Sequence, residues 1–95
     1  MELTEIREKT LPVFRKYGIE RVAVFGSYAK GREREESDVD FLVRYAPGVK
    51  RSLFTHVRLV NELQDVLKKK VDVVSEQSLS QLLRDEVLRS ARIIL

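Results

Sequence analysis

The stretch from Val22 to Val43 constrains the fold most, because it holds two short apolar runs with a glycine turn and paired carboxylates between them. The first run is too short for a helix and predicts a buried strand that ends at Gly26. Asp38 and Asp40 stand at the head of the second run. Because side chains two residues apart in a strand point to the same face, we expect these two carboxylates to lie side by side.

The pair of Asp38 and Asp40 also predicts a metal site. Like charges at close range repel each other, and this repulsion raises the pKa of one of the two groups. A cation between the carboxylates removes that cost, and oxygen ligands of this kind suit Mg²⁺ or Mn²⁺. The alternative is that both residues are solvated side chains at the end of a loop.

The motifs along the chain, taken in order, resemble those of a known family. The turn Gly26-Ser27-Tyr28-Ala29-Lys30-Gly31 has the form G-S-x-A-[RK]-G, and Ser37-Asp38-Val39-Asp40 has the form S-D-x-D. A third aspartate, Asp72, lies inside Val71-Asp72-Val73-Val74. This combination resembles the nucleotidyltransferase superfamily that includes DNA polymerase beta and kanamycin nucleotidyltransferase. The short chain narrows the resemblance to the minimal nucleotidyltransferase (MNT) family, with its MntA-type antitoxins of HEPN/MNT systems.

The resemblance implies that Asp38, Asp40 and Asp72 are the catalytic carboxylates. Asp38 and Asp40 would hold two Mg²⁺ ions about 3.5–4 Å apart, with Mn²⁺ as an alternative ion. Asp72 would complete the metal on the side of the nucleophile and could accept its proton. The structural alternative for Asp72, which lies between valines, is a charge that protects an edge strand from aggregation.

The glycine turn predicts a binding site for the triphosphate of ATP. Gly26 has no Cβ to obstruct a phosphate, Ser27 adds a hydroxyl donor, and we expect residues 27–30 to form one helical turn. Lys30 occupies the position where the family often has arginine, and Arg32 is a second candidate for a phosphate contact. The simpler interpretation makes Gly26 and Ser27 an ordinary turn and the two cations part of a solvated loop.

Two functions of different classes follow from these motifs. The resemblance implies an enzyme that moves AMP from ATP to a hydroxyl acceptor, and the acceptor it suggests is a HEPN-domain toxin that the protein neutralises as an antitoxin. The alternative is a binding module with a weak or inactive site that neutralises its partner by complex formation. A nucleic-acid partner is not expected, because the chain has no template-binding domain.

The positions of the motifs also predict how the strands are arranged. Gly26 follows the first strand, whereas Asp38 and Asp40 begin the second, so these strands must be antiparallel to meet at one site. Asp72 begins the third strand, which should therefore be parallel to the second, as a helical crossover allows. We expect an α+β fold with a palm-like mixed sheet of three to four strands. Its helices should pack on the face that bears Val39, Phe41 and Val43.

The remaining segments predict helices and a tail. We expect a helix over residues 3–17 that Pro12 kinks or divides, a helix from Ser52 to about Lys69, and a last helix from Ser78. The main apolar stripe of the second helix should be Leu53, Val57, Val60, Leu63 and Leu67. The apolar tail, residues 91–95, should be either a short extra strand or a contact with a second copy of the chain or another partner.

Composition limits the remaining classes of protein. The 95 residues should form a single domain, residues 1–95, with 43% apolar and 35% charged side chains and no cysteine for disulfides or thiolate metal sites. The charged N-terminus is unlike a signal peptide, and no run approaches a membrane span of about 20 apolar residues. We therefore expect a cytoplasmic protein without a membrane partner. A net charge of +3 suits a ligand that carries phosphate.

Overall fold

A four-stranded mixed sheet in the order β3-β2-β1-β4 forms the centre of the protein. The computed structural model describes residues 1–31, 34 and 38–95. In chain order the elements are α1 (Leu3–Lys16), β1 (Ile19–Phe25), β2 (Val39–Tyr45), α2 (Leu53–Leu67), β3 (Val71–Ser75), a 3₁₀ turn (Glu76–Ser78), α3 (Gln81–Ser90) and β4 (Arg92–Ile93).

The strand directions agree with those that the motifs predict. β1 and β2 are antiparallel, and β2 and β3 are parallel, joined by the crossover helix α2. The fourth strand, β4, pairs antiparallel with the other edge of β1. The predicted α+β class and its mixed sheet are thus confirmed.

Helices α1 and α2 cover the face of the sheet that bears Val39, Phe41 and Val43, as predicted. These three side chains are buried together with Phe14 of α1. The rings of Phe14 and Phe41 meet edge to face at 5.2 Å between centroids, a contact that adds about 0.5–1.5 kcal/mol to the burial of the two rings. This packing leaves the opposite face of the sheet for Asp40.

Pro12 lies inside α1 without dividing it, so the predicted division of this helix is wrong. Proline lacks the N–H that would bond to the carbonyl of Glu8, four residues earlier. Both residues are exposed, and water can therefore satisfy that carbonyl. The position of Pro12 on the solvent side of the helix explains why the helix continues.

The long helix α2 buries a narrower stripe than its sequence predicts. Ser52 caps it by accepting a hydrogen bond from the Thr55 N–H, and its buried side chains are Leu59, Leu63 and Leu67, spaced four residues apart. Leu53 is 78% exposed, and Val57, one turn further on, is also exposed. The predicted stripe therefore fails in the first turns of α2, where these two side chains face solvent.

The C-terminal tail adds a strand to the sheet of its own chain, which is one of the two alternatives that the sequence left open. The Ile94 N–H donates to the Val22 carbonyl at 2.9 Å, and the Val22 N–H donates to the Leu95 carbonyl at 3.1 Å. Arg7 of α1 donates from Nε to the Ile94 carbonyl at 2.7 Å. A second copy of the chain held through this tail stays an untested prediction.

The last helix begins later than predicted. Ser78 belongs to the 3₁₀ turn, and Ser80 caps α3 by accepting a hydrogen bond from the Leu83 N–H. Because β3 and β4 lie at opposite edges of the sheet, α3 connects the two edges, and it contacts β1 on its way.

A buried ion pair fixes the start of this connection. Glu76 is only 2% exposed, and its carboxylate accepts hydrogen bonds from Nε and a terminal nitrogen of Arg21 at 2.8 and 2.5 Å. The pairing with Arg21 lowers the pKa of Glu76, although burial opposes the shift.

None of the helices among the described residues has both the length and the apolar character that a membrane span requires.

Candidate active site

Asp40 lies where the ends of three strands meet. In the sheet register it stands between Phe25, the last residue of β1, and Asp72, the second residue of β3. Asp38 precedes β2 by one residue, and the Val39 N–H donates to the Lys70 carbonyl at 3.0 Å. The structure therefore brings all three predicted carboxylates to the same end of the sheet.

The charges of these aspartates act on one another. Burial raises the pKa of Asp40, and the neighbouring charges of Asp72 and Asp38 raise it further. Asp40 is half-buried, whereas Asp38 and Asp72 are exposed to solvent. The repulsion that the sequence predicts for the pair thus includes the third aspartate as well.

The donor set fits a hard cation that carries its own water ligands. Across the described parts of the chain, no three acidic or histidine side chains form a ready-made metal cluster. Mg²⁺, however, usually keeps several waters and binds through one or two carboxylates plus the phosphates of a substrate. The neighbouring oxygens of Asp40 and Asp72 match that requirement, and a cation would relieve the repulsion on Asp40.

The backbone of Gly26 packs against the carboxylate of Asp40. Gly26 has a φ of +73°, and a Cβ at this position would come closer than 3.0 Å to Oδ2 of Asp40. The position therefore requires glycine for two reasons, the left-handed backbone and the space that the carboxylate occupies. A turn follows, closed by the Lys30 N–H donating to the Gly26 carbonyl at 3.2 Å.

We predict that Gly26→Ala lowers both stability and nucleotide affinity. The left-handed φ should cost about 1–2 kcal/mol, and the added methyl group should push the Asp40 side chain out of its position. Gly48→Ala is the matched control, because Gly48 has a φ of +83° with nothing near its missing Cβ. Urea unfolding and ATP titration of both variants test this. Equal nucleotide affinity in the two variants would contradict the role of the Gly26–Asp40 contact.

The predicted phosphate contacts lie in this turn. Tyr28 and Ala29 are buried and anchor it, Ser27 is half-buried, and Lys30 is exposed. The single α-turn closed by Lys30 agrees with the predicted helical turn. Arg32 lies outside the described residues, so its predicted role stays a prediction.

Sequence reasoning missed one residue at this end of the sheet. The parallel register pairs Val39 with Val71, so the preceding residues, Asp38 and Lys70, are also neighbours. The sequence places Lys70 in a lysine triplet that follows α2, where cations offset the helix dipole. Its spacing of two residues before Asp72 is the signal that could have revealed its position.

The family model described as polymerase beta, nucleotidyltransferase matches residues 8–95. The chain belongs to this nucleotidyltransferase family. The motif-based resemblance is therefore confirmed at the level of the family.

Individual relatives of this nucleotidyltransferase agree with the assignment. Protein adenylyltransferase MJ0435 of Methanocaldococcus jannaschii is 43% identical over 91 residues, 96% of each protein. A solved minimal nucleotidyltransferase superposes with a TM-score of 0.80 at 44% identity and covers 96% of this chain and 94% of its own.

A more distant neighbour shares the fold. It is an MNT antitoxin in complex with a tri-AMPylated HEPN toxin from Shewanella oneidensis, with a TM-score of 0.74 at 21% identity. The match covers 97% of this chain and 71% of the other.

Proposed function

We propose that this nucleotidyltransferase moves AMP from ATP to a hydroxyl group of a HEPN-domain protein and thereby acts as an antitoxin in the cytoplasm. The observation that carries the proposal is the position of Asp40, held against the Gly26 backbone on one side and beside Asp72 on the other. The nearness of the Gly26 turn and two carboxylates supports a site for phosphate and metal. Residues 1–95 would act as one domain.

Different residues have different roles in the transfer. Gly26 and Ser27 would hold the triphosphate with backbone N–H and hydroxyl donors, with Lys30 and Arg32 as further cationic contacts. The acceptor oxygen attacks the α-phosphorus, its proton passes to Asp72, and the bond from the α-phosphorus to pyrophosphate breaks.

Asp38, Asp40 and Asp72 would hold the metal ion. When bound, Mg²⁺ neutralises the charge of the triphosphate and of the leaving group. The three aspartates also keep the acceptor and the nucleotide on the same face of the sheet, which supplies the proximity that transfer requires.

Support for a protein acceptor comes from the relatives. The similar Methanocaldococcus protein is named a protein adenylyltransferase, and the Shewanella neighbour is an antitoxin bound to an AMPylated toxin. Within the described residues, little beyond the sheet and three helices could surround a base or a small acceptor. A partner protein that completes the site is therefore the acceptor that we favour.

The alternative is a binding module that neutralises its partner without chemistry. Its support is the fold itself, because the described residues form little more than the sheet and three helices, which suits a protein that acts through a partner. The two functions differ in what happens when Asp40 becomes Asn. Neutralisation of the HEPN partner is lost with Asp40→Asn if transfer is needed, and it survives if binding alone suffices.

We predict that ATP binding depends on Mg²⁺ or Mn²⁺, because the metal-free carboxylates repel the triphosphate. Calorimetry should show binding in the presence of Mg²⁺ and a loss of at least about tenfold in affinity with EDTA, which equals about 1.4 kcal/mol. Adenosine, which lacks phosphates, is the control ligand and should be insensitive to EDTA. Equal ATP affinity with Mg²⁺ and with EDTA would contradict a metal-binding role for Asp38 and Asp40.

A further inference from the structure

Lys70 lies on the same face of the sheet as the carboxylates, on the side away from the phosphate turn. Val71 is buried in the core, so strand alternation directs Lys70 and Asp72 to the opposite face. That face also bears Asp40, which the charge of Asp72 reaches. Two cross-strand rows result, with Asp38 beside Lys70 and Asp40 beside Asp72.

The charge of Lys70 has no ion-pair partner among the residues that the structure describes. Lys70 is exposed, and its ammonium group is therefore open to an approaching substrate.

An interaction with the dipole of α2 does not explain the position of Lys70 either. The helix ends at Leu67, and Lys68 already adopts the left-handed conformation that turns the chain. Lys70 lies beyond this turn, where its carbonyl accepts from the Val39 N–H. Its backbone belongs to the sheet, next to the site, and no longer to the end of the helix.

The order of the strands decides which substrate Lys70 faces. The phosphate turn follows β1, the carboxylates begin β2, and Lys70 precedes β3. Neighbouring strands are about 4.8 Å apart, so Lys70 lies about 10 Å from the turn that would hold the triphosphate. An acceptor that approaches from the β3 side would therefore meet Lys70 next to Asp72.

We propose that Lys70 is an acceptor-binding residue that contacts an anionic group next to the acceptor hydroxyl. The inference rests on the proposed transfer of AMP to a protein. The anion is either a side-chain carboxylate of the acceptor protein or the phosphodiester of an AMP group already attached to it. Lysine meets both as a compact point charge on a flexible stem.

The test compares Lys70→Met with Lys50→Met in AMP transfer to a purified HEPN-domain protein, the proposed acceptor. Lys50 is exposed in the loop that follows β2, at the opposite end of the sheet, so both variants lose one charge. We expect Lys70→Met to raise the KM for the acceptor about 10-fold or more, as loss of a hydrogen bond to a charged group does. The KM for ATP and kcat should stay near wild type, and Lys70→Arg should restore most of the affinity.

Counting AMP groups on the acceptor by mass spectrometry separates the two anions. If Lys70 contacts a carboxylate of the acceptor, which is present from the start, Lys70→Met slows the first AMP transfer. If Lys70 contacts a phosphodiester, which exists only after one transfer, Lys70→Met slows only the later transfers. An increase in the KM for ATP alone, or no difference from Lys50→Met, would overturn the proposal.

The result stays interpretable if the proposed function fails. If the wild-type protein transfers no AMP, binding of the same HEPN-domain protein is measured at low salt for both variants. Weaker binding by Lys70→Met than by Lys50→Met supports an anion contact at Lys70. Equal binding by the two variants contradicts it.

Discussion

Asp40→Asn should reduce AMP transfer by a factor on the order of 10³ while the fold stays intact. Asp40 is the carboxylate that packs against the backbone of Gly26 and stands beside Asp72 in the sheet register. Its loss removes electrostatic stabilisation worth several kcal/mol, and each 1.36 kcal/mol is a factor of about ten in rate. Single-turnover transfer from labelled ATP measures the effect.

Asp85→Asn is the matched control for this variant, because Asp85 is an exposed aspartate on α3. It should transfer AMP at the wild-type rate. Transfer by Asp40→Asn at more than about a tenth of the wild-type rate would exclude Asp40 from the catalytic centre.

Stability should change in the opposite direction from activity. Because the folded protein raises the pKa of Asp40 above its usual 3.8, the metal-free wild type loses stability as the pH rises through the range above that value. Asp40→Asn removes this loss and should melt at a slightly higher temperature at neutral pH. Below the usual pKa the carboxyl is protonated in both the folded and unfolded states, and the difference should disappear. A large drop in melting temperature would instead mark Asp40 as structural.

The largest effect on stability should come from Arg21→Met. This variant leaves the carboxylate of Glu76 buried without its partner. Removing one member of a buried pair usually costs 3–5 kcal/mol, and since Arg21 is itself 36% exposed, we expect about 2–3 kcal/mol. Urea unfolding at neutral pH measures it, and the double variant Arg21→Met/Glu76→Gln should regain part of the loss.

Arg44 on the adjacent strand β2 supplies the control variant for the ion pair of Arg21 and Glu76. Arg44 stands opposite Arg21 in the sheet register and pairs at the surface with Glu20 at 3.1 Å. Surface pairs contribute about 0–1 kcal/mol, so Arg44→Met should have a small effect. Losses of equal size in Arg21→Met and Arg44→Met would contradict the account of the buried pair.

The pH dependence of this pair follows from the lowered pKa of Glu76. A carboxyl whose pKa is lowered on folding contributes stability above its usual value, here 4.5, and loses it as the pH falls through the lower folded pKa. The gap between the wild type and Arg21→Met should therefore be full at neutral pH. It should narrow in acid, below the usual pKa of Glu76.

Local spacing was enough to predict which residues meet at this end of the sheet, because they belong to short motifs at strand ends. The apolar runs fix β1 and β2, and the positions of Gly26, Asp40 and Asp72 fix the strand directions that bring them together. The class of fold and the register of the carboxylates follow from these few residues.

Features that depend on three-dimensional context could not be predicted. The pairing of Arg21 with Glu76 joins residues 55 positions apart, and no local pattern marks it. Pro12 continues its helix at a position where Pro12 and Glu8 are exposed, and Leu53 is exposed although its spacing fits the apolar stripe of α2. In each case the outcome depends on tertiary contacts or solvent exposure, which the sequence of the segment alone does not contain.

The position of the label in ATP tests the central claim most directly. The protein is incubated with Mg²⁺ and a HEPN-domain protein, the proposed partner, once with ATP labelled at the α-phosphorus and once with ATP labelled at the γ-phosphorus. The account predicts that the partner acquires the α-label and not the γ-label, and that Asp40→Asn transfers neither. A partner that acquires the γ-label, or one that the protein neutralises with no label transferred, would contradict it.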